Sequence, residues 1–172
     1  MGQVIYTGIG SRRAPPEMLG RAEALARRLA ASGLHLRSGG ALGMDRAFER
    51  GAPADQRTIY RPAHVVGDAG EAAFALFDAE VAPLAGCGSI RRMRPPIAAL
   101  LARNMFQVLG LNLATPTRAV VCWTPLLDYT HRDAGGTRYA CLLAQARAIP
   151  IFNLAHWTVD EAAEQVRALA RS

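Results

Sequence analysis

The chain has 172 residues, 51% hydrophobic and 20% charged, which fits a folded globular protein and excludes a disordered chain. That length suits one domain, residues 1–172, with a substantial core. No apolar run approaches the ~20 residues that cross a bilayer, and the N-terminus enters a strand-like run with no basic, apolar leader, so a cytoplasmic protein with no membrane partner is expected.

The net charge is +6, and every one of the 20 basic residues is arginine. Arginine binds phosphate and carboxylate through a planar fork, so a nucleotide or nucleic-acid partner fits, although a GC-rich genome also depletes lysine. Without lysine there is no Schiff-base mechanism and no Walker-type phosphate lysine. Cys87, Cys122 and Cys141 have no metal-ligand spacing, and their odd number argues against a disulfide framework. Cys122 and Cys141 sit among apolar residues and read as core.

In chain order, Val4–Gly8 reads as a buried strand followed by the turn Gly8-Ile9-Gly10-Ser11-Arg12. The turn is not the dinucleotide fingerprint, because the third glycine is missing, but its amides could close around a phosphate. Pro15-Pro16 opens a helix with Met18, Ala22, Leu25, Ala26 and Leu29 on one stripe, stopped by Ser32-Gly33. A second strand, Leu34–Arg37, delivers Ser38-Gly39-Gly40-Ala41-Leu42-Gly43-Met44-Asp45, and a helix follows to Arg50. Glycines at a strand-to-helix switch permit close backbone approach, and the helix start turns free N–H groups and a positive dipole end toward an anion. Asp45 falls in the first helical turn, where it either favours the dipole or accepts hydrogen bonds from a ribose.

Arg57–Arg61 reads as a third strand and Gly70–Val81 as a helix. The stretch Gly86–Pro96 is a basic loop, either solvated or a lid carrying Arg91, Arg92 and Arg94 to phosphates. A helix from Pro96 to Leu109 carries Ile97, Leu100, Leu101, Met105 and Val108 on one face, with Arg103-Asn104 in apolar company and in need of partners. Ala119–Trp123 is apolar on both faces, as a central parallel strand should be, and ends at Thr124. Asp128, His131 and Asp133 match no metal pattern, so no metal site is expected. Gly135-Gly136-Thr137 makes a third anion nest before a helix, and Ile149–Leu154 is the last strand. Thr158 with Glu161 forms a capping box for a terminal helix. Alternating strands and helices give a parallel sheet covered on both faces, with the glycine turns gathered at its carboxyl edge.

Four pieces of sequence carry a resemblance. They are Thr7-Gly8-Ile9-Gly10-Ser11-Arg12; Ser38–Asp45 with Phe48–Ala52; Arg103-Asn104 with Gln107–Gly110; and Val121–Thr124 with Gly135–Thr137 and Phe152–Ala155. In this order they resemble the DprA/Smf-like nucleotide-binding proteins of the SLOG superfamily, of phage and bacterial type. The resemblance implies a single Rossmann-like α/β domain that binds a nucleotide or phosphoribosyl ligand, as a sensor or binding module, at Gly8, Gly10, Ser11, Arg12, Ser38, Gly39, Gly40, Gly43, Asp45, Arg103, Asn104, Thr124, Gly135, Gly136 and Thr137. It requires no cofactor and implies a homodimer or higher homo-oligomer, for which the helix 97–109 offers an apolar surface that core packing explains equally well. Related phosphoribohydrolases carry PGGxGTxxE, whereas Asp133–Cys141 here lacks the proline and the glutamate. An N-glycosidic hydrolase or transferase would therefore fall to Asp45 or Glu49. A third reading is single-stranded DNA binding, which the positive charge fits and the 6% aromatic content does not favour.

Overall fold

The computed structural model describes residues 2–171. Five strands, β1 (Ile5–Gly10), β2 (His35–Ser38), β3 (Arg57–Ile59), β4 (Ala119–Trp123) and β5 (Ile151–Asn153), form one sheet in the order β3-β2-β1-β4-β5. Every pairing is parallel. The helices are α1 (Pro16–Ala31), α2 (Met44–Gly51), α3 (Gly67–Leu76), α4 (Ala82–Ala85), α5 (Pro95–Leu109), α6 (Thr137–Ala146) and α7 (Val159–Arg171).

Side-chain alternation along the central strands divides the interior in two. Tyr6, Leu36, Ala119 and Val121 face a core shared with α1, α2 and α7. Ile9, Val120 and Cys122 face a second core with α5 and α6. Strands buried on both sides are why β1 and β4 read as continuous apolar runs. The Asx-free start of α1 is set by Pro15-Pro16, and α7 opens on the capping box: Glu161 N–H donates to Thr158 Oγ1 (3.2 Å) and Thr158 N–H to Glu161 Oε2 (2.9 Å).

Beyond one-residue shifts at β2 and α2, four boundaries differ from those the sequence implies. First, β1 runs on to Gly10, because Gly8, Ile9 and Gly10 keep pairing with Val121, Cys122 and Trp123. Gly8 and Gly10 are thus strand residues. Second and third, β3 and β5 are shorter at their ends. Fourth, the helix expected over 70–81 starts at Gly67 and widens into a π-turn at Phe77–Val81 before α4. Pro83 has no N–H and its ring crowds the preceding turn, which accounts for the widening.

The arginines of the Gly86–Pro96 loop, Arg91, Arg92 and Arg94, line neither of the two cavities at the carboxyl edge. Asp78, in the widened turn, accepts from Ser89 Oγ (2.6 Å) and Ile90 N–H (2.7 Å), and Ile90 is fully buried. Arg91 pairs with Glu71 at 2.8 Å and lies over the Phe74 ring, so α3 holds it away from the carboxyl edge. The apolar face of α5 is not a free contact surface either. Leu101, Met105 and Val108 are in the core, and Ile97 alone of that stripe stays 45% exposed. Cys122 and Cys141 are buried and unoxidised, with sulfurs 4.0 Å apart. No helix among the described residues is long and apolar enough to cross a membrane.

Candidate functional site

In a 3-2-1-4-5 sheet the chain winds to one side from β1 and to the other from β4. The loops that leave these two strands part, and a crevice opens at their carboxyl ends. Here the crevice is a cavity of about 360 Å³, within the range of small-molecule sites. Its walls are Gly10 to Arg13 from the β1 exit, Ala41 and Asp45 from the β2 exit, and Asp133 to Thr137 before α6. The third side is α5, through Leu100, Leu101, Arg103, Asn104 and Gln107. The three glycine turns and the Arg103-Asn104 pair therefore meet in one place. A second cavity of about 200 Å³ adjoins it, sharing Arg12, Ala41, Leu100 and Arg103 and adding Gly39, Gly40, Arg61 and Pro62.

The cleft is held together by α5. Thr7 Oγ1 donates to the Gln107 carbonyl at 2.6 Å, which fixes the helix across β1. Arg103, only 6% exposed, donates through Nη1 to the carbonyls of Gly39 and Tyr60. Asn104 Nδ2 donates to the Gly136 carbonyl at 3.3 Å. Two adjacent residues thus tie the second and third glycine turns to one helix, which answers the partner question raised by a polar pair on an apolar helix.

Asp45 closes the other seam. It is 3% exposed and accepts the Gly10 N–H at Oδ1 (3.1 Å) and the Ala41 N–H at Oδ2 (3.4 Å). Burial pushes its carboxyl up to about 6, against the opposing pull of the Arg103 charge and of the Gly10, Ala41 and Gly39 amides. This changes the meaning of two of the glycine turns. Gly10 and Ala41 N–H are already spent on Asp45, and the Ser11 N–H is spent on the Trp123 carbonyl at 3.1 Å. The Gly10, Ser11 and Ala41 amides, which would have faced an anion, are therefore bonded within the protein.

Several expected site residues serve the scaffold. A Cβ at Gly8 would lie 2.6 Å from the Phe48 ring, so its glycine lets α2 approach β1. Gly10 likewise makes room for Met44, and Gly43 for the Ser11–Arg12 backbone. Ser38 Oγ donates to the Gly8 carbonyl (2.6 Å). Thr124 is fully buried and bonded to Leu126 and Asn153. Neither Ser38 nor Thr124 lines either cavity. Glu49 is also outside them: it sits 3.8 Å from Arg57 in an ion pair. Its place on the helix, four residues beyond Asp45, turns it to a similar side of α2 but a full turn further from the sheet edge.

Sequence reading passed over three residues that the fold brings in. Asp133 lines the larger cavity, and Gln107, 1% exposed, lines it with both amide atoms lacking a hydrogen-bond partner. Arg61 enters the smaller cavity from the end of β3. The Arg103 Nε is likewise buried and unpartnered. Asp133 stands out in the sequence only beside Asp128 and His131, Gln107 only within a resemblance, and Arg61 only as the end of a strand. Among the described residues no group of three or more His, Cys, Asp or Glu side chains could hold a metal ion. No aromatic side chain lines either cavity.

The arrangement of elements matches solved proteins. DNA processing protein A from Helicobacter pylori, whose structure describes a single-stranded DNA binding mode, superposes with a TM-score of 0.62 at 18% identity, over 96% of this chain and 80% of that one. This chain has the fold of DNA processing protein A. The DNA processing protein A from Streptococcus pneumoniae superposes with a TM-score of 0.51 at 16% identity, over 98% of this chain and 56% of that one. The chain thus spans little more than half the length of the streptococcal protein. At these identities the shared feature is the DprA-type Rossmann-like fold with its carboxyl-edge cleft. No protein-family model matches the sequence, and no curated protein matches it significantly.

Proposed function

We propose that the cleft binds the sugar-phosphate portion of a nucleotide-type ligand, and that a single-stranded polynucleotide is the ligand it suits best. The observation that carries this reading is the charge of the two joined cavities. Arg12, Arg13, Arg61 and Arg103 line them, none of the four forms an ion pair among the described residues, and the only acidic side chains present are Asp45 and Asp133. Guanidinia without carboxylate partners that converge on a crevice attract phosphate, and the two cavities adjoin along shared walls. The lack of aromatic lining favours backbone contact over base stacking. The DprA-type fold supports the same choice, since the Helicobacter protein binds single-stranded DNA.

The test is fluorescence anisotropy with oligothymidylate, its duplex and mononucleotides from low to moderate salt. Single strands should bind more tightly than duplex, with log K falling linearly in log salt. Binding of mononucleotides but not of strands would redirect the reading to a nucleotide sensor. No binding of any of these at low salt would overturn it.

A second reading, N-glycosidic hydrolysis, is favoured by one observation: Asp45 is a buried carboxyl at the cleft with a pKa pushed up to about 6, where a general acid or base can work near neutral pH. Release of free base from a bound nucleotide, lost in Asp45→Asn, would support it. Glu49 takes no part, being outside the cleft.

A further inference from the structure

The Ser38-Gly39-Gly40 turn does something other than present amides. A Cβ at Gly39 would lie 2.1 Å from Arg103 Nη1, and a Cβ at Gly40 would lie 3.2 Å from Arg61 Nη1 and 3.4 Å from its Cζ. Gly39 thus leaves room for Arg103 and for the Gln107 amide (also 2.1 Å away), while Gly40, whose nearest neighbour would be Ile59 Cγ2 at 2.9 Å, lies against the Arg61 guanidinium. Arg103 reaches its seat from α5 and Arg61 from the end of β3. Both line the smaller cavity together with Arg12, and no carboxylate lines it. Arg103 is more than nine-tenths buried and leaves its Nε without a partner. Burial disfavours the charge of Arg103 most, Asp45 opposes that effect, and the neighbouring Arg12 and Arg61 cations add to it.

The larger cavity differs in its carboxylates. It shares Arg12 and Arg103 and adds Arg13, but it also holds Asp45 and Asp133, the amides of Asn104 and Gln107, and apolar Leu100 and Leu101. A phosphate placed there lies beside two carboxylates, which the smaller cavity lacks, and the Gly10 and Ala41 amides are occupied by Asp45. Sugar hydroxyls suit those acceptors, and a base suits the apolar wall.

We infer that the ligand's phosphate is held in the smaller cavity by the Arg61 and Arg103 guanidinia seated on Gly39-Gly40, and that its sugar and base occupy the larger cavity beside Asp45. Arg61 is then the residue that selects phosphorylated ligands. This rests on the nucleotide-binding reading above and moves the anion from the glycine amides to side chains that the glycines admit.

Arg61 is exposed and makes no side-chain ion pair among the described residues, so its replacement leaves the core intact. The experiment compares oligothymidylate binding by the full chain, Arg61→Ala, Arg61→Lys and Arg46→Ala over a salt series. Arg46 is an exposed arginine on α2 that lines neither cavity and controls for net charge. Arg61→Ala should weaken binding about 10- to 100-fold and reduce the salt slope by about one. Arg61→Lys should keep the slope and lose part of the affinity, because the planar fork is gone. Arg46→Ala should match the unsubstituted chain. If the unsubstituted chain binds and Arg61→Ala binds equally well, or if Arg46→Ala loses as much as Arg61→Ala, the subsite is wrong while the nucleotide reading stands. If the unsubstituted chain binds no strand or nucleotide at low salt, both fall.

Discussion

Replacing Asp45 by Asn tests the electrostatics of the cleft without requiring a ligand. The folded carboxyl titrates near 6 and its ordinary value is 3.8, so the shift is about two pH units. A raised folded pKa means that the native state holds the proton over an interval in which the unfolded chain has lost it. Unfolding free energy therefore falls as pH rises from about 4 to about 6, and the loss is complete above that window. At 1.36 kcal/mol per unit, ionised Asp45 costs about 3 kcal/mol at pH 7 relative to pH 4. Asparagine never ionises and removes this cost. It can still accept one of the two N–H groups, but its NH2 would face the other donor, a mismatch of about 1–3 kcal/mol at every pH. The two effects oppose at neutral pH, so a single measurement there says little. The pH dependence decides. Urea unfolding of both proteins from pH 4 to pH 7 should give a difference in stability that moves by about 3 kcal/mol in favour of the Asn variant as pH rises. A difference that stays constant across that range would refute the placement of Asp45 as a buried, largely desolvated carboxyl.

Other expectations follow from the same contacts. Tyr6 is fully buried in the α1/α2/α7 core with its hydroxyl unpartnered, so Tyr6→Phe should leave thermal stability unchanged or raise it by about 1 kcal/mol, seen in a thermal melt. Gly8→Ala places a methyl 2.6 Å from the Phe48 ring and should cost about 1–3 kcal/mol in denaturant titration; no cost would show that α2 packs less closely on β1 than described. Arg91→Ala should leave oligothymidylate affinity at fixed salt within about twofold, because Glu71 and Phe74 hold Arg91 away from both cavities. A tenfold loss there would revive the lid. Thr158→Ala should lower stability by about 1 kcal/mol through loss of the α7 capping box.

Much of the fold is legible in the chain because local chemistry and tertiary position agree. Ala119–Trp123 is apolar on alternate and intervening positions alike, as a strand flanked by two cores must be, and Pro15-Pro16 and Thr158–Glu161 place helix starts to within a residue. Where reading and structure part, a non-local partner is responsible. The pattern at Gly8-Ile9-Gly10 suits a turn, and only pairing with Val121–Trp123 makes it strand. The widening at Phe77–Val81 depends on Pro83, a residue beyond the helix expected there.

The candidate site shows the same division. Sequence determined that glycine turns end parallel strands and that Arg103-Asn104 interrupts an apolar helix, since composition and spacing record what each segment can do alone. Tertiary structure decided what those groups do to each other. Asp45 takes one amide from each of two turns, Gly39 makes room for Arg103, and Arg61, unremarkable just past a short edge strand, arrives beside it in the smaller cavity. Hydrogen-bond donors and charges act over a few ångströms in space, and residues that are dozens of positions apart in the chain have no means of recording that closeness in their order.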